Sequence, residues 1–297
     1  MTRVLFVGSG AFGEPTLKAL AESGQCACVV TGIDKKAGRK QRLTPTPIGA
    51  CAETIGLPCI KTNDINSDKQ IHEIEFDTMV VIAFGQKLSE SLIERYDAVN
   101  LHASLLPRWR GAAPIHAAIM HGDSETGVSV ITLANTMDGG LVLKSKSTAI
   151  GEEETTGELH DRLALMGPEV IESVLKGNRA NLVQDESLVT YASKLSRKDS
   201  LLDLSASGET VARRIRGLSP WPSCHLMIGG VDCKLLNAKL VDGTGDVGEI
   251  IEGNRIACGE GSIEITELKP SGGKSMSWQE FCNGRSIQIG DFCEVPA

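Results

Sequence analysis

A chain of 297 residues is at the upper limit of what one hydrophobic core organises, so two domains are expected. With 41% hydrophobic and 23% charged residues it has the composition of a soluble globular protein, and no apolar run approaches the ~20 residues of a bilayer span. A formal net charge of −8 excludes indiscriminate nucleic-acid binding, so any contact with RNA must come from local basic patches. The nine cysteines include no Cys-x-x-Cys pair, which supports neither a zinc ribbon nor a thioredoxin-type motif; they are read as reduced, buried small hydrophobes. No metal site is expected. The opening Arg3-Val4-Leu5-Phe6-Val7 lacks a signal-peptide layout, and a cytoplasmic location is the expectation.

In chain order, Arg3–Val7 reads as a strand, followed by a glycine-rich turn and a helix to about Ser23, and Cys26–Ile33 reads as a second strand. Pro47–Ile55 has a helical pattern. Residues 78–84 form a continuous apolar run suited to a strand buried on both faces. A helix over Ser89–Tyr96 leads into a short strand ending at His102, and Gly111–His121 again reads as helical. Thr126–Leu133 and Leu141–Thr148 are expected strands, and Thr155–Leu175 one long amphipathic helix. The alternation predicts an α/β fold: a Rossmann-like, open, mostly parallel sheet with helices on both faces. After Lys176 the texture becomes polar, then a helix over Gly208–Leu218 precedes short strands. Gly229-Gly230 and Gly253-Asn254 sit between apolar runs as two-residue hairpin turns do. The predicted organisation is a catalytic domain over residues 1–186, a linker over 187–200 and an OB-like β-barrel over 201–297. Trp221, between Pro220 and Pro222, is expected to be mostly core.

Gly8-Ser9-Gly10-Ala11-Phe12-Gly13 is a G-x-G-x-x-G placed between a strand and a helix, and Asp34 lies 21 residues beyond it. That is the spacing of a dinucleotide fingerprint with its ribose-binding acid. Taken alone, it leaves dinucleotide binding and a purely structural tight turn equally open. Lys35, Lys36, Arg39, Lys40 and Arg42 follow at once, more charge than an ordinary ribose site needs, although NADP's extra phosphate accommodates some of it.

A different chemistry is carried by Asn100-Leu-His-Ala-Ser-Leu-Leu-Pro-Arg-Trp-Arg-Gly-Ala-Ala-Pro114. Asn100 and His102 end a short apolar strand, and side chains two apart on a strand leave the same face. An amide donor and an imidazole then face one point, which suits a carbonyl oxygen turning into an oxyanion. This run resembles the signature of the folate-dependent formyltransferases. Its continuation, Pro107 to Ile115, is similar to the branch of that family that formylates methionyl-tRNA.

The resemblance implies a Rossmann-like first domain that binds no dinucleotide. The family usually shows Gly-Thr-Pro where this chain has Gly8-Ser9-Gly10, a departure that keeps an NADP-dependent oxidoreductase as an alternative. It also implies a third catalytic residue, Asp138, in Met137-Asp138-Gly139-Gly140; on residue type alone, a carboxylate before a glycine pair serves a turn. Beside His102 a carboxylate favours the imidazolium. The implied reaction is attack of an amine on the formyl carbon of 10-formyltetrahydrofolate, with Asn100 and His102 holding the oxyanion and Asp138 orienting the histidine. By the same resemblance Ser104, Leu105, Leu106 and Pro107 line the folate pocket, and Phe84, Gly85, Gln86, Lys87 and Leu88 contact the pterin; the bland reading makes the leucines core and Phe84 a strand cap. Arg39, Lys40 and Arg42, with Lys194, Arg197 and Lys198, are the implied contacts to initiator methionyl-tRNA. No membrane and no obligate protein partner is implied, in keeping with a monomer. Residues 201–297 hold nine Lys or Arg against thirteen Asp or Glu, which runs against a basic RNA-gripping barrel. A close alternative acceptor is therefore an amino-sugar nucleotide or other small amine, which needs no basic loop.

Overall fold

The computed structural model describes residues 1–38 and 41–296. The chain forms two compact units. One comprises residues 1–111, 126–148 and 160–191, and the other residues 112–125, 149–159 and 192–297.

The first unit is built on a seven-stranded sheet. Its spatial order is Val142–Ala149, Glu125–Thr132, Asp97–His102, Thr78–Ile82, Val4–Gly8, Cys26–Gly32, Cys59–Thr62. Val4–Gly8 pairs parallel with both Cys26–Gly32 and Thr78–Ile82, and all five residues of Val4–Gly8 and of Thr78–Ile82 are buried. Covered on both faces, these strands have no polar alternation, which is why their sequences read as continuous apolar runs. The parallel pairing continues outward to Cys59–Thr62 and to Asp97–His102, after which Glu125–Thr132 pairs antiparallel with Asp97–His102. This is a mixed α/β, Rossmann-like architecture with a predominantly parallel sheet.

Three local readings change. Cys59–Thr62 is a strand that its mixed composition did not announce. The single long helix is two helices, Thr156–Ala164 and Gly167–Leu175, because Pro168 lies in the first turn of the second, where its missing N–H costs nothing and where a continuous helix would lose a bond. The helix expected from Gly111 starts at Pro114 instead, because Arg110 donates its backbone N–H to the Thr190 carbonyl (2.9 Å) in an extended pairing.

The second unit packs an antiparallel sheet against the helix Gly208–Gly217. Strands Cys224–Ile228, Val231–Val241, Ser262–Pro270, Arg255–Ala257 and Ile250–Glu252 follow one another, and Met276–Ser277 also pairs with Ser262–Pro270. The pairs Ile228↔Val231 and Glu252↔Arg255 leave Gly229-Gly230 and Gly253-Asn254 as two-residue turns, with Gly229, Gly230 and Gly253 at positive φ. Val211, Ile215, Leu226, Leu235, Ile263 and Phe281 are among its core residues. Trp221 is not core. It is 49% exposed, in the turn between the helix and the first strand that Ser223 closes by donating its backbone N–H to the Leu218 carbonyl. All nine cysteines are free thiols, six of them buried. Among the described residues no helix is long and apolar enough to cross a membrane.

Candidate active site

The strand Asp97–His102 lies between Thr78–Ile82 and Glu125–Thr132, with Asn100 opposite Val81 and Ile131, and His102 opposite Ser129. His102 is buried and Asn100 half-buried, and among the described residues the Asn100 carboxamide has no side-chain hydrogen-bond partner. The imidazole is held from two sides. Nε2 donates to the Trp109 carbonyl at 2.9 Å, and Nδ1 stands 3.7 Å from Asp138 Oδ2. The first contact is a hydrogen bond; the second is too long to be one.

Asp138 sits in the left-handed region at φ 52°, a conformation aspartate tolerates better than most residues. Its Oδ2 accepts the backbone N–H of Gly111 at 2.8 Å. The turn that carries it runs from Thr132 to Leu141. Thr132 N–H donates to the Leu141 carbonyl (3.0 Å), and Leu141 N–H donates to Thr132 Oγ1 (2.9 Å). Between those bonds, residues 134–137 are exposed. The structure thus brings His102 and Asp138 together, with Asn100 on the same strand face one step before the imidazole.

Sequence reasoning missed Arg110 and Gln184. Arg110 is the largest fully buried side chain. Its Nε and Nη2 donate to Gln184 Oε1 at 3.0 and 2.8 Å, and Nη1 and Nη2 donate to Glu186 at 3.2 and 2.7 Å. The guanidinium holds the Glu186 carboxyl below the usual carboxylate range. Gln184 Nε2 in turn donates to the carbonyls of Asp138 and Gly140. The only available signal was a charged residue embedded between Trp109 and Gly111-Ala112-Ala113, with partners more than seventy positions away.

Of the segments expected at the folate, Ser104 is buried and its Oγ donates to the Arg108 carbonyl at 2.6 Å, so the hydroxyl closes its own turn. Leu105, Leu106 and Pro107 are half-buried, and Leu106 N–H donates to Ser129 Oγ at 3.2 Å. Phe84 and Leu88 belong to the sheet's core, and Gly85 adopts positive φ. Gln86 is tied down at both ends of its amide, accepting from Ile65 N–H and donating to the Thr62 carbonyl. Lys87 and Leu88 line a cleft of about 420 Å³ together with Asn66, Ser89, Glu90 and Asn135. Of the basic residues, Arg39 and Lys40 lie outside the described residues. Arg42 is exposed on a small hairpin formed by Lys35–Ala37 and Arg42–Thr44. Lys194, Arg197 and Lys198 are exposed in the second unit. Among the described residues no three His, Cys, Asp or Glu side chains are grouped as metal ligands.

Residues 2–175 match the family model described as formyl transferase, and residues 194–286 match that of the formyl transferase C-terminal domain. The chain belongs to the formyl transferase family. It is 39% identical over 297 residues to a methionyl-tRNA formyltransferase of Cereibacter sphaeroides, covering 97% of this chain and 98% of that one. A methionyl-tRNA formyltransferase of Paracoccus denitrificans is 40% identical over 293 residues, covering 96% and 98%. Among solved structures, an N-formyltransferase of Helicobacter canadensis in complex with folinic acid and dTDP-3-aminofucose superposes with a TM-score of 0.67 over 89% of this chain and 99% of that one, at 15% identity. In this formyltransferase, then, the paired His102 and Asp138 lie in the portion that matches the formyl transferase model.

Proposed function

We propose that this formyltransferase moves the formyl group of 10-formyltetrahydrofolate to the amino group of initiator methionyl-tRNA in the cytoplasm. The observation that carries the chemistry is the apposition of His102 and Asp138 beside Asn100. Full-length similarity to the named relatives supports the acceptor. The amine nitrogen attacks the formyl carbon, and negative charge grows on the carbonyl oxygen. The Asn100 carboxamide and the Nδ1–H of a protonated His102, whose Nε2–H the Trp109 carbonyl holds, take that charge through hydrogen bonds that strengthen as it develops. Asp138 orients the ring and accepts the proton the attacking amine gives up. Breaking the bond between the formyl carbon and the folate nitrogen then releases tetrahydrofolate, with that proton returned to the leaving nitrogen. No covalent nucleophile is required, because an amine attacks an already activated formamide.

The cleft at Lys87 and Leu88, with the turn Ser104–Pro107, is the proposed approach for the folate. Arg39, Lys40, Arg42, Lys194, Arg197 and Lys198 are the proposed RNA contacts, with the catalytic domain over residues 1–186, a linker over 187–200 and an OB-like barrel over 201–297. The test is a formyl-transfer assay offering methionyl-tRNA, free methionine and an amino-sugar nucleotide as acceptors. Turnover on methionyl-tRNA is expected; turnover on the sugar alone overturns the acceptor. Asn100→Ala is expected to lower kcat by ~10²–10³-fold, as removal of one oxyanion donor does.

A further inference from the structure

Between its closing bonds at Thr132 and Leu141, the turn that carries Asp138 is exposed along residues 134–137 and held locally by Gly139 N–H donating to the Thr136 carbonyl at 3.1 Å. A further hold comes from elsewhere in the chain. Gln184, 7% exposed, places its carboxamide between two polar groups. Nε2 donates to the carbonyl oxygens of Asp138 and Gly140 at 2.7 and 2.8 Å, while Oε1 accepts two N–H groups of Arg110. The orientation is fixed, because a flipped amide sets its oxygen against two carbonyl oxygens and its NH2 against a guanidinium. Releasing that oxygen would take from the buried Arg110 Nε–H the acceptor it has here, since Glu186 takes Nη1 and Nη2, and a buried donor left unpaired is costly.

The same stretch holds the other half of the pair. Thr190 accepts the backbone N–H of Trp109 on its Oγ1 and that of Arg110 on its carbonyl, each at 2.9 Å. Trp109 supplies the carbonyl behind His102, and Gly111 supplies the amide behind the Asp138 carboxylate. Residues 184–190 therefore grip the backbone on both sides of the 3.7 Å approach between imidazole and carboxylate.

We infer that Gln184, locked by the buried Arg110, is a positioning residue that holds the Asp138 turn so that the carboxylate stays against His102. The inference rests on the reading of Asp138 as a catalytic group. Gln184→Glu is the discriminating variant: it keeps an acceptor for Arg110 and removes both donors to the Asp138 and Gly140 carbonyls. With folding checked by circular dichroism and melting, kcat is expected to fall roughly 10- to 100-fold, the usual range for a group acting through a catalytic one. KM for folate and for methionyl-tRNA is expected to stay as in the wild type. In an Asp138→Ala background, measured by single turnover, Gln184→Glu is expected to cause no further loss, because the residue it positions is gone. Should Gln184→Glu fail to fold, Gln184→Met, similar in reach and without the amide, is carried through the same cycle. A folded variant with wild-type kcat overturns the inference, as does an equal loss in both backgrounds. Near-native turnover of Asp138→Ala instead overturns the catalytic reading beneath it, a distinct result.

Discussion

Gly140→Ala probes how closely the Asp138 turn is fixed. A Cβ on Gly140 would lie 1.8 Å from the Thr132 carbonyl oxygen and 2.7 Å from both Thr132 C and Oγ1. Relief to the closest contact real Cβ atoms show requires a shift of at least about 1.2 Å, which a packed interior resists. Thr132 cannot supply it, because it is the last residue of a strand in register with Val99. The movement must therefore fall on residues 138–140, whose carbonyls Gln184 holds. Gly140 is not at positive φ, so the effect is steric and not one of backbone preference. Overpacking of this kind costs ~1–3 kcal/mol of stability, and displacing a catalytic group by ~1 Å costs ~10²-fold in rate. Steady-state formyl transfer at saturating substrates, beside a thermal melt, separates the two. Gly24→Ala is the control: its φ is 71° with nothing within 4 Å of the new Cβ, so it carries backbone strain far from the chemistry. A folded Gly140→Ala variant with native kcat refutes the reasoning, since it means that the turn can shift without moving anything the reaction needs.

Three further outcomes are expected. Asp97 accepts two Arg179 N–H groups at 2.8 and 2.6 Å and the Thr78 hydroxyl at 3.0 Å, which hold its carboxyl below the usual range. A lowered folded-state value means the contribution is complete above the unfolded value of ~3.9 and is lost as pH falls through the folded one, so the Tm gap between wild type and Asp97→Asn should be constant near neutrality and close on acidification below about pH 4. Ser277 and Glu280 form a capping box on Trp278–Cys282, and Ser277→Ala should cost about 1 kcal/mol in denaturant unfolding. Burial pushes the thiols of Cys26, Cys224 and Cys293 up to about 12 and those of Cys233 and Cys258 up to about 11, so a thiol reagent near pH 8 should leave these five unmodified until the protein unfolds.

Most of the sheet was legible because burial on both faces removes polar residues from a strand, as at Thr78–Ile82. Cys59–Thr62 was not: an edge strand with only Thr62 buried has no pattern to distinguish it from a loop. The helix break before Pro168 was masked for a related reason. Leu159, Leu163, Val170, Ile171 and Val174 are all buried, so the apolar signal runs straight through it. In the site, the shared face of Asn100 and His102 follows from strand geometry, whereas Asp138 was reached only through family resemblance. Residue type alone made it a turn residue, and it is one: the φ of 52° and the neighbouring glycines are real turn features. Gln184 left no trace at all. Its two acceptors are backbone carbonyls, and no residue pattern records which carbonyls need a donor.

The glycine motif shows the same limit from the opposite side, since its spelling suggests a ligand that its surroundings do not suit. The N–H groups of Ser9 and Gly10, which a pyrophosphate would need, both donate to the Ala83 carbonyl, at 3.2 and 3.0 Å. Gly8 is required by packing, because a Cβ there would lie 2.7 Å from the Ile82 carbonyl oxygen. Ser9 Oγ accepts the Gly32 N–H at 3.1 Å, tying the loop to the neighbouring strand. The following helix opens with Glu14, a negative charge in the first turn where a phosphate would seek the positive end of the dipole. Asp34, spaced as a ribose acid, pairs with Lys61 at 2.7 Å. Each element of the fingerprint is present, and each is engaged by the protein itself. A G-x-G-x-x-G after a strand thus specifies close approach of strand, turn and helix, and binding of a phosphate depends on whether the turn's N–H groups are left free. Here they are closed off, and the groupings the fold does assemble lie elsewhere, at the end of the strand Asp97–His102, where His102 stands 3.7 Å from Asp138.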